Sequence, residues 1–272
     1  MIVEGRAIAE RILVDVAAVV AARPSGAPRL TAITCAPNFE TQRYLAMKKE
    51  KAAQVGIALN VVELPATVTT DDVIACVSRV APEADGVVVQ LPLPVQVDMQ
   101  AVLATVPVEK DPDGFVFGHD PAACLSPVVG AIDEISKQHQ VEWVGKQVVV
   151  LGEGRLVGAP AAAYARQAGA EVTVLNKDTF DPHVLQQADI IVSGVGKPQF
   201  ITPDMIKAGV IIFDAGTSED GGELVGDVHR DVYPQAALVT PVPGGIGPIT
   251  IAYLLHNLVS LSGEKVKKAE NT

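Results

Sequence analysis

The chain has 272 residues, long for one domain and natural for two. Hydrophobic residues make up 49% of it and aromatics only 4%, so its core has to be built from Val, Ala, Ile and Leu, a mix that suits buried parallel strands under helices. Its 21 basic and 32 acidic residues leave a charge of −11, which argues against nucleic acid or an anionic membrane as the main partner and fits a soluble surface.

Apolar positions recur at helical spacing over residues 6–22 and stop at Ala22-Arg-Pro-Ser-Gly. A strand is expected over Leu30–Cys35, a helix from about Glu40 to Val55 ending at Gly56, and a strand over Ile57–Leu64. A helix over Asp71–Val80, capped at Thr70 or nearby, precedes the β-branched strand Gly86–Gln90, which Leu91-Pro-Leu-Pro halts. This alternation implies a parallel sheet. The second half repeats the theme. A strand over Lys146–Leu151, a glycine-rich turn over Gly152–Gly158 and a helix over Ala159–Ala168 come first. Strands at Glu171–Leu175, Ala188–Val192, Val210–Asp214 and Ala237–Val239 follow, then a helix over 249–262 and a short basic run, Lys265 to Lys268. The domain junction is expected near Pro121–Pro127, with the return crossing inside Pro241–Pro248.

Cys35, Cys76 and Cys124 stand far apart without metal-ligand spacing, as reduced cysteines of a cytosolic protein would. Met1-Ile-Val-Glu-Gly-Arg shows no basic region followed by an apolar run, so no signal peptide is expected, and no apolar stretch is long enough to span a membrane.

Five segments can carry chemistry. Gly152-Glu-Gly-Arg-Leu-Val-Gly158 lies between a strand and a helix, where backbone amides can approach a diphosphate; the same spacing also serves as a plain tight turn. Tyr44 and Lys48 share one helix face a turn apart, either as an aromatic platform beside an amine or as ordinary helix surface. Gln90 ends a buried strand, where open α/β sheets bind ligands, or simply faces water. Asp113-Gly is either a turn or a carboxylate aimed at a ligand. Thr240-Pro-Val-Pro-Gly-Gly-Ile-Gly-Pro-Ile-Thr250 fixes an unusual backbone path, as a ligand-lining loop requires.

Taken in this order, the five segments resemble the methylenetetrahydrofolate dehydrogenase/cyclohydrolase family. That family carries a Tyr-x-x-x-Lys helix, a Val-Gln-Leu-Pro-Leu-Pro strand end and a Lys-Asp-x-Asp-Gly turn. It continues with a Gly-x-x-x-x-Val-Gly-x-Pro turn and a Pro-Val-Pro-Gly-Gly-x-Gly-Pro-x-Thr loop. Here these are Tyr44/Lys48, Val89–Pro94, Lys110–Gly114, Gly152–Pro160 and Pro241–Thr250, with lesser matches at Ala188–Pro198 and Val225–Val228. Three departures stand out. Cys124-Leu-Ser-Pro127 replaces Pro-Cys-Thr-Pro, Glu153 replaces the family's Arg in the nucleotide turn, and Asn176-Lys177 replaces a His-Ser pair. The first alters the substrate wall, and the other two leave NADP and NAD both open.

The resemblance implies an α/β chain of two domains, each a mainly parallel sheet flanked by helices. Residues 1–124 with 249–272 would form a folate-binding catalytic domain, and 125–248 a Rossmann-type nicotinamide dinucleotide-binding domain. It implies oxidation of 5,10-methylenetetrahydrofolate to the 5,10-methenyl form with NADP or NAD, and hydrolysis of that product to 10-formyltetrahydrofolate. This is one-carbon metabolism, feeding purine biosynthesis, in a cytoplasmic homodimer with no metal, nucleic-acid or membrane partner. Lys48, Gln90 and Asp113 become catalytic residues; Tyr44, Pro243, Gly244 and Gly245 bind substrate. Gly152, Glu153, Gly154, Arg155, Val157, Gly158, Asn176, Lys177, Gly194, Gly196 and Thr250 bind the cofactor. The competing readings are a monofunctional dehydrogenase, a two-domain dehydrogenase of the shikimate type, or a non-catalytic folate- or nucleotide-binding relative.

Overall fold

Aliphatic runs of strand length, alternating with amphipathic segments of helix length, favour parallel pairing with crossover helices. The computed structural model describes residues 1–263, and its chain divides into two units. One holds Glu10–Leu125 and the chain from Ile251; the other holds Met1–Ala9 and Ser126–Thr250. The basic run Lys265–Lys268 lies outside the described residues.

The first unit begins within α1 (Gly5–Ala21) and continues through β1 (Arg29–Cys35), α2 (Phe39–Gln54), β2 (Ala58–Leu64), α3 (Thr70–Val80), β3 (Gly86–Val89) and α4 (Met99–Leu103). Its sheet has the order β2-β1-β3, all parallel, with Ile33 beside both Val62 and Val89. β1 and β3 are almost wholly buried, and each large aliphatic side chain removed from water there stabilises the fold by about 1.5–3 kcal/mol. Local signals set the helix ends. Asn38 accepts a hydrogen bond from Thr41 N at 2.8 Å to start α2, and Thr69 forms a reciprocal capping box with Asp72 to start α3. Gly56, at φ +79°, follows α2 in a conformation that a side chain would resist.

The second unit runs through α5 (Pro127–His139), β4 (Gln147–Leu151), α6 (Gly158–Gln167), β5 (Glu171–Leu175), α7 (Pro182–Gln187), β6 (Ile190–Ser193) and β7 (Ile211–Asp214). A hairpin, β8 (Ser218–Asp220) and β9 (Glu223–Val225), precedes β10 (Leu238–Val239) and α8 (Ile246–Leu261), which continues into the first unit. The five-stranded parallel sheet has the order β10-β7-β6-β4-β5. The chain winds outward from β4 to β5, then returns to β6 on the other side. The carboxyl ends of β4 and β6, at Leu151 and Ser193, therefore form the switch point where doubly wound sheets bind ligands.

Three expectations change. Residues 1–9, expected in the first domain, belong to the second unit, where Val3 N donates to Val239 O at 3.0 Å and Val239 N to Met1 O at 2.9 Å, extending the β10 edge. The last helix starts at Ile246 rather than 249, because a proline is tolerated in a first turn and Pro248 sits there. Helix α5 was not expected, although Ser126 caps it through Val129 N at 3.4 Å and Pro127 opens it.

Candidate functional site

In the first unit the amine, the amide and the carboxylate are brought together by three different elements. Lys48 lies on the inner side of α2 and is only 6% exposed, whereas Lys49 one residue on is exposed. Its Nζ donates to Gln90 Oε1 at 3.1 Å and stands 5.0 Å from the centre of the Tyr44 ring, within cation–π range. Gln90 follows β3 and stays in register with it, its N donating to Ile33 O at 2.8 Å. Its Nε2 donates to Leu91 O at 3.0 Å, which orients the amide so that the oxygen is presented to Lys48. The ordinary alternative of a solvated helix lysine is therefore wrong for Lys48. It holds for Lys49, while Lys51 is half-buried and donates to Gln54 Oε1 at 3.0 Å.

The carboxylate Asp113 sits half-buried on a turn built by Asp111. The buried Asp111 accepts from Asp113 N and Gly114 N, both at 3.1 Å, and from Phe115 N at 2.7 Å. A carboxylate bonded to three successive amides fixes the turn. Burial, aided by the Asp113 charge, still pushes the Asp111 carboxyl up to about 7. Burial raises Asp113 too, and the Lys48 ammonium pulls it back down. Gly114 is at φ +60°, a conformation that glycine adopts freely. Cys124 donates its thiol to Asp111 O at 3.2 Å, and burial followed by the two aspartates pushes it up to about 12, so it is no nucleophile.

One residue of this site escaped the sequence reading. Asn257, on α8 and 3% exposed, donates through Nδ2 to Pro112 O at 2.9 Å and to Leu125 O at 2.8 Å. It clamps both ends of the loop that carries Asp113. No local pattern announces it, because its partners are over a hundred residues away in sequence.

In the second unit the switch point is made of glycines. Gly152 is at φ +93°, and a Cβ on Gly158 would stand 2.0 Å from Gly152 O. A Cβ on Gly194 would stand 2.4 Å from the Val157 side chain, so the loop after β6 packs directly on this turn. No side chain caps α6 at Val157, and nothing lies near the Cβ position of Gly154. An uncapped helix start beside backbone that only glycine permits fits a dinucleotide diphosphate. Around it, Glu153 and Lys177 are exposed, Arg155 is half-buried and Gly196 lies at φ +66°.

The remaining expected residues are placed differently. Asn176 accepts at Oδ1 from Asp178 N, Thr179 N and Thr179 Oγ1, so its oxygen is occupied by its own turn. Thr250 lies on α8 rather than on the preceding loop, its Oγ1 donating to Gly247 O at 2.7 Å. In the Pro-Gly loop Gly244 is at φ +106°, and Gly245 N donates to Pro241 O at 2.8 Å. A Cβ on Gly5 would stand 1.9 Å from Gly245 O, so α1 starts hard against this loop. Among the described residues no helix is long and apolar enough to cross a membrane.

Comparisons with known proteins agree with this geometry. Residues 3–113 match the family model described as tetrahydrofolate dehydrogenase/cyclohydrolase, catalytic domain, and residues 126–266 match that family's NAD(P)-binding domain. A bifunctional protein FolD from Campylobacter curvus is 36% identical over 88% of this chain and 87% of its own length. The solved structure of FolD from Campylobacter jejuni has a TM-score of 0.92 at 29% identity, covering 97% of this chain and 98% of that one. The Trypanosoma brucei methylenetetrahydrofolate dehydrogenase-cyclohydrolase, solved with NADP and an inhibitor, has a TM-score of 0.90 at 35% identity, with 97% of each chain covered. With both domain models matched along most of its length, the chain belongs to the tetrahydrofolate dehydrogenase/cyclohydrolase family.

Proposed function

We propose that this enzyme oxidises 5,10-methylenetetrahydrofolate with NADP and hydrolyses the methenyl product to 10-formyltetrahydrofolate. The observation that carries the reading is the buried Lys48 amine, bonded to Gln90 and set beside Tyr44, within electrostatic reach of Asp113. A decayed binding protein has no reason to keep an amine out of water in this way.

Each residue has a part. Asp113 can accept two hydrogen bonds from the amino group and ring N–H of a pterin, which sets the folate's orientation. Tyr44 offers its face to the aminobenzoate ring. A bound nicotinamide dinucleotide would supply the hydride acceptor for the methylene carbon. Hydrolysis follows on the folate itself. Water adds to the methenyl carbon and gives its proton to Lys48 Nζ. The amine returns that proton to the ring nitrogen as the carbon–nitrogen bond opens, and the remaining hydroxyl proton leaves to solvent as the formyl carbonyl forms. Gln90 Oε1 keeps Nζ on station through both transfers.

The residues that would hold the dinucleotide are Gly152, Gly154 and Gly158 at the diphosphate, with Gly194 and Gly196 opposite. Glu153 opposes a 2′-phosphate, while Arg155 and Lys177 attract one, so NAD should be accepted beside NADP. A cytoplasmic homodimer serving purine synthesis completes the reading. The test gives purified protein methylenetetrahydrofolate with each cofactor and follows methenyl and formyl products separately. Formation of both supports the reading; a methenyl product that is never hydrolysed would reduce the enzyme to a dehydrogenase.

A further inference from the structure

Beneath the loop that follows β6, one carboxylate collects three donors. Asp227, with no exposure, accepts from Ser193 Oγ at 2.7 Å, Val195 N at 2.9 Å and Lys197 N at 2.8 Å. The loop above it, from Val195 to Pro198, is exposed, while Ser193 at its root is fully buried. Asp227 is itself held by a second buried acid. Asp214 accepts at Oδ1 from Asp227 N at 3.2 Å and Gly216 N at 3.0 Å, and at Oδ2 from Val228 N at 2.9 Å. The fit leaves no slack, since a Cβ on Gly216 would stand 2.2 Å from the Asp227 carboxyl carbon, and one on Gly226 would stand 2.2 Å from Asp214 Oδ2.

A buried carboxylate with three donors is satisfied and directional, so it dictates where those donors sit. The donors belong to the segment that carries Gly194 and Gly196 and packs on Val157 of the glycine turn. Removing the carboxylate would strand two buried-end amides and a hydroxyl, and the loop would relax away from the turn.

We propose that Asp227, braced by Asp214, is a positioning residue for the dinucleotide: it shapes the 193–197 loop and thereby sets cofactor affinity without touching the reacting atoms. This rests on the function proposed above and deepens it. Both acids and every group they hold lie in the second unit, whereas Lys48, Gln90 and Asp113 lie in the first. The two half-reactions should therefore respond differently.

The test measures the Kd of NADP by titration and the methenyl hydrolysis rate in wild type, Asp227→Asn, Ser193→Ala and the double variant. Asp227→Asn replaces one acceptor oxygen with a donor facing other donors, and should raise the Kd about tenfold or more, about 1.4 kcal/mol per decade. Ser193→Ala removes one of the three bonds and should raise it by about threefold. The double variant should fall short of the product of the two, because both act through one carboxylate. Hydrolysis, which uses no dinucleotide, should stay within about twofold of wild type. A folded Asp227→Asn with wild-type Kd overturns the proposal, as does an equal loss of binding and hydrolysis, which would mark a general structural role. If Asp227→Asn does not fold, an unchanged Kd in Ser193→Ala is enough to overturn it. A wild-type protein that binds neither NADP nor NAD instead refutes the parent reading, a result that cannot be mistaken for failure of the loop's role alone.

Discussion

Lys48 Nζ donates to Gln90 Oε1 at 3.1 Å, and this bond ties the middle of α2 to the carboxyl end of β3. Neither residue could be placed by its own element alone. The helix turns Lys48 inward, the strand end presents Gln90, and the backbone bond from Gln90 N to Ile33 O sets how far along the sheet the amide reaches. The amine so held is short of water and close to an acid, the setting a proton relay requires.

Replacing Lys48 with Met keeps the length of the side chain and removes the amine. Hydrolysis of the methenyl substrate should fall by about 10²–10⁴-fold. Hydride transfer should survive in part, because that step needs no proton from the amine. A single-turnover assay of each half-reaction separates the two, and near-wild-type hydrolysis would move the role to another residue.

Asp113→Ala leaves the donors of a pterin unanswered, at about 1–3 kcal/mol. Both activities should decline together, with a rise in folate Kd and little change in Tm. Asp111→Ala should differ, because Asp111 holds three backbone amides of the turn. Its loss should lower Tm as well as folate affinity. Equal folate binding by Asp113→Ala and wild type, in a direct titration, would remove Asp113 from substrate recognition.

Glu153 is exposed at the glycine turn between β4 and α6, where its charge would oppose a 2′-phosphate. In Glu153→Arg the ratio of kcat/KM for NADP over NAD should rise by about tenfold or more, a change of only about 1.4 kcal/mol, as a repelling charge becomes an attracting one. An unchanged ratio would mean that the side chain points away from the ribose and that Lys177 or Arg155 decides the preference.

Stability should fall as pH rises toward neutrality. Asp111 and Asp214 are each pushed up to about 7, by burial first and then by Asp113 and Asp227 respectively. An unfolded Asp titrates near ~3.9, so the folded state holds these protons more tightly. The stabilisation is complete below about pH 4 and is lost as pH climbs through about 7. Thermal unfolding across that range should show Tm decreasing with pH from this cause. Asp214→Asn should flatten the slope, whatever it does to the absolute Tm; a slope unchanged in that variant would show that Asp214 is ionised throughout.

The architecture was readable because its signals are local. Val87-Val-Val, Gln147-Val-Val-Val-Leu and the capping segment at Thr69–Asp72 each carry their structure in adjacent residues. The candidate site drew on a different signal: Tyr44 and Lys48 share a helix face, and Gln90 and Asp113 end or follow defined elements. Asn257 was not readable, since a buried side chain whose partners lie far away in sequence leaves no spacing to detect, and Asp227 stands inside the Val225–Val228 match with no role that its neighbours in sequence reveal. Helix α5 was legible in Ser126-Pro127 and the spacing of Val129, Ile132 and Ile135, but that segment reads equally as a linker. Helix α8 starts three residues before the expected 249 because Gly247 and Pro248 suggest loop even where a helix begins.

Asn257 also has a consequence for biosynthesis. A ribosome releases Lys48, Gln90 and Asp113 well before it reaches α8. Until then, Gly86 lacks Leu258, whose Cδ1 packs where a Cβ would stand at only 2.5 Å, and the Asp111–Leu125 loop lacks the amide that holds Pro112 and Leu125. Leu254, Leu255, Leu258 and Val259, all buried, are missing as well. A nascent chain stopped short of α8 contains every proposed proton-handling group and can form the Lys48–Gln90 bond, but lacks the amide that holds the loop carrying Asp113. The fold of the Asp113 loop is thus completed only when α8 is in place, so a fragment lacking α8 should hold folate more weakly than the whole chain.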